Sequence, residues 1–397
     1  MTVELDHEFT YLSNANSAFV EDLYNQYKEN PDQVDPLWRR FFEGYEFSNI
    51  EVESVAGNGS KVSSKEAAVT KLIHAYRSRG HLLADTNPIR DRRHHKADLT
   101  LDYFGLAEAD LNKEFESGHD LKIGKATLKQ ILETLNKTYC EKIGVEFMYC
   151  RDEKLRQWLY KEMETSCNKP SYTKEEKHHI LQKIIEAVTF ENFLQTKYIG
   201  KKRFSLEGLE AFVPSLDAAI REGANCGARE FVIGMAHRGR LNVLVNIFGK
   251  SYQDVFSEFE ENVLPGDESG GGDVKYHLGR SADITTEDGH PVHLTLVPNP
   301  SHLEAINPVV QGMVYGKKKK NYKDDNKKVI PILVHGDSAM SGQGVNYEMA
   351  NMSKIEGYEV GGTVHIILNN QVGFTANFKE ARSSVYSTDL AKVTESP

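Results

Sequence analysis

The second half of the chain alternates short β-rich runs with helical segments, and this alternation limits the possible folds more than any other feature. The runs are EFVIGMA (230–236), VHLTLV (292–297), VIPILVH (329–335) and TVHIILNN (363–370), and helical segments follow the first three. Strands joined through helices form a parallel sheet, because right-handed crossovers return each strand in the same direction. The sequence therefore predicts an α/β domain over residues 191–397.

Two strand ends carry groups suited to one ligand. Asp337 ends one predicted strand and Asn369-Asn370 end the next, and ligands bind at the carboxyl ends of parallel strands. A carboxylate, an amide oxygen and a nearby carbonyl suit magnesium, and the glycines around Asp337 let the backbone approach a diphosphate. Each dipeptide alone is an ordinary turn or strand end. Together at this separation they predict a metal-diphosphate anchor.

The first 190 residues predict smaller units. Residues 1–45 contain an aromatic helical hairpin whose second helix starts at Asp35-Pro36, and its apolar side chains predict a segment that docks a partner. The alternative is that the hairpin packs against its own subunit. Residues 46–65 predict a flexible linker, and residues 66–190 predict a mainly helical region. Its helical stripes run over Leu128–Leu135, Leu155–Met163 and Leu181–Val188.

Composition and motifs disfavour several other classes of protein. A net charge of −10 argues against a nucleic-acid partner, because phosphate binding relies on a basic surface. The four cysteines lack the spacing of zinc ligands. The first residues fit neither a secretory signal nor a transit peptide, and no apolar run of about 18 residues predicts a membrane span. We therefore expect a cytoplasmic protein without a membrane partner.

Several segments resemble the first, decarboxylating and succinyl-transferring component of the 2-oxoglutarate dehydrogenase complex. They are IGMAHRGRLNVLVN, GGDVKYHLG, NPSHLEAINPVVQG, HGDSAMSGQGV and GYEVGGTVHIILNNQVGFT, in that order between Ile233 and about Asp389. The Gly-Asp and Asn-Asn pairs also resemble the thiamine-diphosphate signature, with Ser338 where many members have Gly or Ala. The resemblance implies a thiamine-diphosphate-binding fold and oxidative decarboxylation of 2-oxoglutarate in the tricarboxylic acid cycle.

The same resemblance implies roles for individual residues. Magnesium would be held by Asp337, Asn370 and the backbone carbonyl of Val372. The thiamine diphosphate would contact Arg238, Ser301, Leu303, Asp337, Ser338, Ala339 and Asn370, with Leu303 acting mainly through its backbone. The catalytic residues that meet the substrate would be His237 and His277, and Arg238 and Ser301 would also bind it.

The residues alone give weaker support for these histidines. His237 and Arg238 directly follow an apolar strand at the ligand edge, where a cation can pair with a substrate carboxylate. His277 by itself would be a surface or core histidine, and only the family pattern assigns it a function. We interpret His302 and His335 as packed residues that support the site.

The resemblance also implies partners and a longer protein. The succinyl group would pass to the lipoyl arm of the dihydrolipoyl succinyltransferase component, and dihydrolipoyl dehydrogenase would complete the complex. Family members are more than twice as long, so we expect this chain to be a truncated part with an incomplete α/β domain, and a homodimer at full length. Two alternatives stay open, a 2-oxoadipate dehydrogenase and a non-catalytic fragment that docks a partner.

Overall fold

The computed structural model describes residues 17–49, 64–89, 96–260 and 275–397. Contacts divide the chain into two units, Met1–Ala67 and Ala68–Pro397. Residues 1–16 of the predicted docking segment and residues 50–63 of the predicted linker lie outside the described residues. No helix among the described residues is long and apolar enough to cross a membrane.

The helices are numbered in chain order as α1 (Ser17–Glu29), α2 (Pro36–Asn49), α3 (Ser64–Arg79), α4 (Leu128–Tyr139), α5 (Glu153–Ser166), α6 (Lys174–Lys197), α7 (Phe212–Asn225), α8 (Arg240–Asn246), α9 (Tyr252–Glu260), α10 (Ile306–Asn321), α11 (Asp337–Gly342), α12 (Gly344–Met352), α13 (Phe378–Ala381) and α14 (Ala391–Thr394). The strands are β1 (Glu114–Phe115), β2 (Ala126–Thr127), β3 (Glu230–Met235), β4 (Arg280–Thr285), β5 (Pro291–Leu296), β6 (Val329–Gly336), β7 (Val364–Leu368), β8 (Val372–Gly373) and β9 (Ala376–Asn377).

The first unit contains the predicted helical hairpin, formed by α1 and α2. Pro36 starts α2 because its fixed φ suits the first helical turn, as the sequence predicts. The Phe42 ring lies 5.1 Å from the Tyr24 ring and 5.5 Å from the Tyr27 ring, and Phe42 is buried. Since α2 continues to Asn49 and α3 begins at Ser64, the predicted linker boundaries at 46 and 65 are too wide.

The second unit begins with a helical region built on α3, α4 and α5. These helices bury a common apolar core that includes Leu72, Ile131 and Leu135. Beside this core, Nε and Nη2 of Arg77 bind the two carboxylate oxygens of Glu164 at 2.7 and 2.8 Å. The Tyr139 hydroxyl donates to the same carboxylate at 2.6 Å. A buried acid thus has three donors, which compensates its desolvation.

The main sheet has the strand order β4-β5-β3-β6-β7. The four runs predicted from sequence form β3, β5, β6 and β7, and these strands are parallel, as predicted. The sequence analysis missed β4, which pairs antiparallel with β5 at the edge of the sheet. Its RSADIT sequence has few apolar residues because alternate side chains are exposed, so it lacks the apolar signal of a central strand.

The predicted boundary between residues 190 and 191 is wrong, because it falls inside α6. Ala187, Phe190 and Leu194 of this helix are buried in the same core as Phe231 and Ile233 of β3. The helix therefore belongs to the α/β core that supports the sheet. The stripe predicted at Leu181–Val188 does not mark the buried face, since Leu181 and Ile185 are both more than half exposed.

We predict that Glu164→Ala lowers the free energy of unfolding by about 3–5 kcal/mol, because it leaves the buried Arg77 guanidinium without its counter-charge. Urea denaturation followed by circular dichroism measures this change. Glu162→Ala, an exposed acid on the same helix, is the matched control and should be nearly neutral. Equal effects of the two substitutions would contradict the buried-pair argument.

Candidate functional site

The predicted site residues lie along one edge of the sheet. His277 precedes β4 and Ser301 follows β5, His237 follows β3, Asp337 follows β6, and Asn370 follows β7. The start of antiparallel β4 lies at the same edge as the end of β5, since Arg280 pairs with Leu296. Neighbouring strands are about 4.8 Å apart, so residues on adjacent strands can contact one ligand.

The ends of β6 and β7 converge, as the sequence predicts. One terminal atom of the Asn370 amide lies 3.2 Å from Asp337 Oδ1 and 3.1 Å from the Val372 carbonyl oxygen. If this atom is the amide nitrogen, it donates to both of these oxygens. If it is the amide oxygen, three oxygen atoms face one another. Oxygens at neighbouring corners of an octahedron with bonds of 2.0–2.1 Å are about 2.9 Å apart. The arrangement therefore fits a magnesium ion.

The donor set of this site is mostly neutral. The described part of the chain holds no group of three or more His, Cys, Asp or Glu residues placed to bind one metal ion. Asp337 is thus the single ionisable residue of the predicted magnesium ligands. A site with one carboxylate suits magnesium that also binds phosphate oxygens and water.

The second carboxylate oxygen of Asp337 has its own partner. Arg382, which follows α13, places Nη1 3.3 Å from Asp337 Oδ2, and both side chains are largely buried. Burial raises the pKa of Asp337, and the Arg382 charge opposes this increase. The ion pair leaves Oδ1 directed toward Asn370 and holds the carboxylate in one orientation.

Polar atoms next to Asp337 fit an anionic ligand. The Ser338 hydroxyl and Arg382 Nε are buried and have no hydrogen-bond partner among the described residues. A Cβ atom at Gly373 would lie 2.3 Å from Ser338 Oγ, so only glycine permits the close approach of β8 to α11. Ala339 shares this turn of α11, and its carbonyl accepts from Asn346 at 3.3 Å. These residues form the side of the site where a diphosphate would bind.

The loop after β7 is fixed by the helical region of the same unit. Gln371 has a left-handed backbone with φ of 62°, and its amide forms two hydrogen bonds of 2.9 Å with the Asn87 amide. Its backbone N–H also donates to Asn369 Oδ1 at 3.0 Å. This two-point pairing explains how the loop keeps a costly conformation.

His237 lies at the centre of the edge, between the two ends of the site. Its ring packs on Phe204 with the ring centroids 4.1 Å apart, and it is half-buried. Burial lowers the pKa of His237, and the neighbouring Arg238 lowers it further. His237 is therefore neutral near pH 7 and can donate or accept a hydrogen bond. Arg238 donates to the Ser205 carbonyl at 2.8 Å.

The β4 and β5 loops bring two further predicted residues together. His277 Nε2 lies 3.2 Å from Ser301 Oγ, and the backbone N–H of Asn299 donates to the His277 carbonyl at 3.0 Å. The Leu303 side chain is exposed, and the next residue, Glu304, has a φ of 67°. The structure thus places His277 and Ser301 as one hydrogen-bonded pair.

A buried chain of polar side chains was missed by sequence reasoning. Glu304 is hydrogen-bonded to His335 at 2.5 Å, and His335 is hydrogen-bonded to His365 at 2.9 Å. Burial lowers the pKa of His365 to about 4. The interpretation of His335 as a packed residue is confirmed, whereas His302 is exposed and is therefore not packed.

A cavity of about 730 Å³ lies beside this chain, between α10, α12 and β7. Its lining includes Tyr315, Met349, His365 and Ile367, and it contains none of the predicted site residues. We therefore locate the candidate site at the carboxyl edge, where the polar groups converge, and not in this larger apolar space.

Arg382 and Asn87 are the other residues that sequence reasoning missed. Arg382 lies 45 positions after Asp337, and Asn87 lies 284 positions before Gln371. Neither residue has a spacing or a strand-end position that would distinguish it from an ordinary polar loop residue. Their contacts follow from the tertiary fold alone.

Comparison with known proteins agrees with the predicted resemblance. The sequence model named 2-oxoglutarate dehydrogenase N-terminus matches residues 9–49. The 2-oxoglutarate dehydrogenase E1 components of Cupriavidus necator and Azotobacter vinelandii are 41% and 42% identical to this chain, and each alignment covers 98% of the chain. The multifunctional 2-oxoglutarate metabolism enzyme of Mycolicibacterium vanbaalenii is 46% identical over 86% of the chain.

These relatives are considerably longer than this chain. It spans 44% of the length of the first two relatives and 28% of the third. The sequence model named Dehydrogenase E1 component matches residues 182–397, which include the whole sheet and every predicted site residue. The chain therefore belongs to the dehydrogenase E1 component family.

Proposed function

We propose that this chain forms the cofactor-binding part of a 2-oxoglutarate dehydrogenase E1 component. The complete enzyme would oxidatively decarboxylate 2-oxoglutarate in the tricarboxylic acid cycle and transfer the succinyl group to a lipoyl group. The convergence of Asp337, Asn370 and the Val372 carbonyl carries this proposal. The dehydrogenase E1 component family depends on thiamine diphosphate, and these oxygens suit the magnesium that would hold its diphosphate.

When bound, thiamine diphosphate supplies an electron sink for the decarboxylation of a 2-oxo acid. The residues of this chain bind and orient it. Asp337, Asn370 and the Val372 carbonyl would hold the metal, and the Ser338 hydroxyl would donate to the diphosphate, with Ala339 beside it. Arg382 holds the Asp337 carboxylate in place.

The histidine side of the edge, formed by His237, Arg238, His277 and Ser301, would bind the 2-oxo acid. A neutral His237 can donate a hydrogen bond to a carboxylate, and the Arg238 charge beside it favours an anionic substrate. His277 is held by Ser301 and offers a second donor on the β4 side. Two donors on separate strands suit the two carboxylates of 2-oxoglutarate, and 2-oxoadipate is the alternative substrate.

The first unit would dock the chain onto its partner in the complex, the dihydrolipoyl succinyltransferase component. A sequence model specific to 2-oxoglutarate dehydrogenase matches this segment, which supports a role peculiar to that complex. Dihydrolipoyl dehydrogenase would reoxidise the lipoyl arm, and the full-length protein would be a cytoplasmic homodimer. The alternative is a non-catalytic fragment that docks a partner, and absence of 2-oxo acid decarboxylation in the full-length enzyme would favour it.

We predict that Asp337→Ala and Asn370→Ala weaken magnesium-dependent binding of thiamine diphosphate by more than the roughly 10–100-fold typical of losing a residue that only supports a metal ligand. The reason is that each substitution removes one of three protein ligands. Isothermal titration calorimetry with cofactor and magnesium measures the affinity. Asn351→Ala, an exposed asparagine on α12, is the control. Unchanged affinity in both variants would reject the metal site.

We predict that the full-length enzyme, in which this chain is joined to the further part that its longer relatives contain, prefers 2-oxoglutarate to pyruvate and 2-oxoadipate. His277→Ala should lower kcat/KM for 2-oxoglutarate about 10–100-fold, as expected for one lost hydrogen bond of ~1.5–3 kcal/mol to a charged group. His290→Ala, at the β4–β5 turn away from this edge, is the control. A preference for pyruvate, or indifference to His277→Ala, would contradict the assignment.

We predict that deleting residues 1–45 from the same full-length enzyme preserves decarboxylation with an artificial electron acceptor but abolishes co-sedimentation with the succinyltransferase component. The physical reason is that the aromatic rings of the hairpin pack on one another, whereas the sheet core is built from residues of the second unit. Parallel loss of both activities would mean that the hairpin is part of the catalytic subunit's own fold.

A further inference from the structure

Arg240, the first residue of α8, is fully buried directly beneath the histidine side of the edge. Its guanidinium donates to three backbone carbonyls. Nη1 lies 3.0 Å from the Met235 oxygen, and Nη2 lies 2.8 Å from the Leu278 oxygen and 2.7 Å from the Val297 oxygen. Nε also donates to Leu278 at 3.3 Å. One side chain therefore joins three separate segments.

Each of these segments leads to a residue of the proposed substrate site. Met235 ends β3 two residues before His237, Leu278 directly follows His277, and Val297 lies just after β5 and four residues before Ser301. The hydrogen bonds to Met235 and Val297 are buried at the ends of β3 and β5, and those to Leu278, just before β4, are partly buried. Arg240 satisfies the three carbonyls together and fixes their relative positions.

The charge of Arg240 is not needed for packing. No carboxylate among the described residues forms an ion pair with it, and burial lowers its pKa to about 10, so it stays charged near neutral pH. An apolar side chain of similar volume would avoid the cost of burying an unpaired charge. The planar guanidinium group of arginine, however, directs several N–H groups at carbonyls in fixed directions, which neither lysine nor an apolar residue can do.

We propose that Arg240 is a positioning residue for the 2-oxo acid: it holds His237, His277 and Ser301 in one arrangement and adds positive potential beneath them. The identity of the ligand in this inference rests on the proposed function. The positioning of His237, His277 and Ser301 by Arg240 does not. Among the described residues, Arg240 forms no hydrogen bond or ion pair with Asp337, Asn370 or Arg382. The metal side of the edge, formed by Asp337, Asn370 and the Val372 carbonyl, should therefore not depend on it.

Hydrogen–deuterium exchange on this 397-residue chain tests, without any ligand, whether Arg240 acts as a clamp that holds the three segments together. The Arg240→Lys substitution keeps the charge but removes the guanidinium group. In this variant the backbone N–H groups within residues 276–280 and 297–301 should exchange at least about tenfold faster than in wild type. Residues 337–341 and 364–368 should exchange at the wild-type rate. Arg280→Lys is the matched control, because Arg280 donates to a single carbonyl of the described residues, that of Phe248.

Two binding measurements separate positioning from general damage. Isothermal titration of Arg240→Lys with magnesium and thiamine diphosphate should give an affinity within about twofold of wild type, because the metal side is intact. In the full-length enzyme the same substitution should raise KM for 2-oxoglutarate at least about tenfold while leaving KM for thiamine diphosphate unchanged. In Arg240→Ala, millimolar guanidinium ion, far below denaturing concentrations, should partly restore slow exchange in the two loops.

Wild-type exchange rates in Arg240→Lys would overturn the clamp, and so would a loss of protection spread evenly over the whole sheet. Loss of cofactor affinity together with loop protection would show a structural role without selective positioning, and would also reject the proposal. If the loops loosen as expected but wild-type enzyme does not act on 2-oxoglutarate, then the proposed function fails while the clamp stands.

Discussion

Parallel strands that end at one edge leave backbone carbonyls there without strand partners, and the rest of the site follows from how this chain satisfies them. On the β3 and β5 side, Arg240 donates to the carbonyls of Met235 and Val297. On the β6 and β7 side, the Asn370 amide reaches the Val372 carbonyl and the Asp337 carboxylate. The same edge therefore becomes an ordered polar surface instead of an exposed set of strand ends.

Arg382 and Arg240, the two largely buried arginines described at this edge, have different electrostatic environments. Arg382 is paired with Asp337, so its charge is compensated locally and acts mainly on the orientation of that carboxylate. Among the described residues, Arg240 donates only to backbone carbonyls, so its charge is less compensated. An anion that approaches the histidine side thus meets a positive potential, whereas the metal side keeps a carboxylate available for a cation.

The sequence predicts this site as far as topology determines it. Asp337 and Asn370 follow apolar runs, and the parallel pairing of β6 with β7 places their ends together without further information. Residues such as Asn87 and Arg382 could not be predicted, because their contacts depend on loops that cross long sequence separations. Strand β4 was missed for a local reason, since an edge strand with one exposed face has little apolar signal.

The edge is held by two sets of contacts that share no side chain. The metal side depends on α11, the β7 loop and the Asn87–Gln371 pair, and the histidine side depends on Arg240 and the loops around β4 and β5. Contacts that share no partner are expected to respond almost independently to substitution. A change in the β4 and β5 loops can therefore alter the His277–Ser301 pair while Asp337 and Asn370 keep their geometry. Under the function proposed above, substrate preference would then vary mainly through residues near His277 and Ser301.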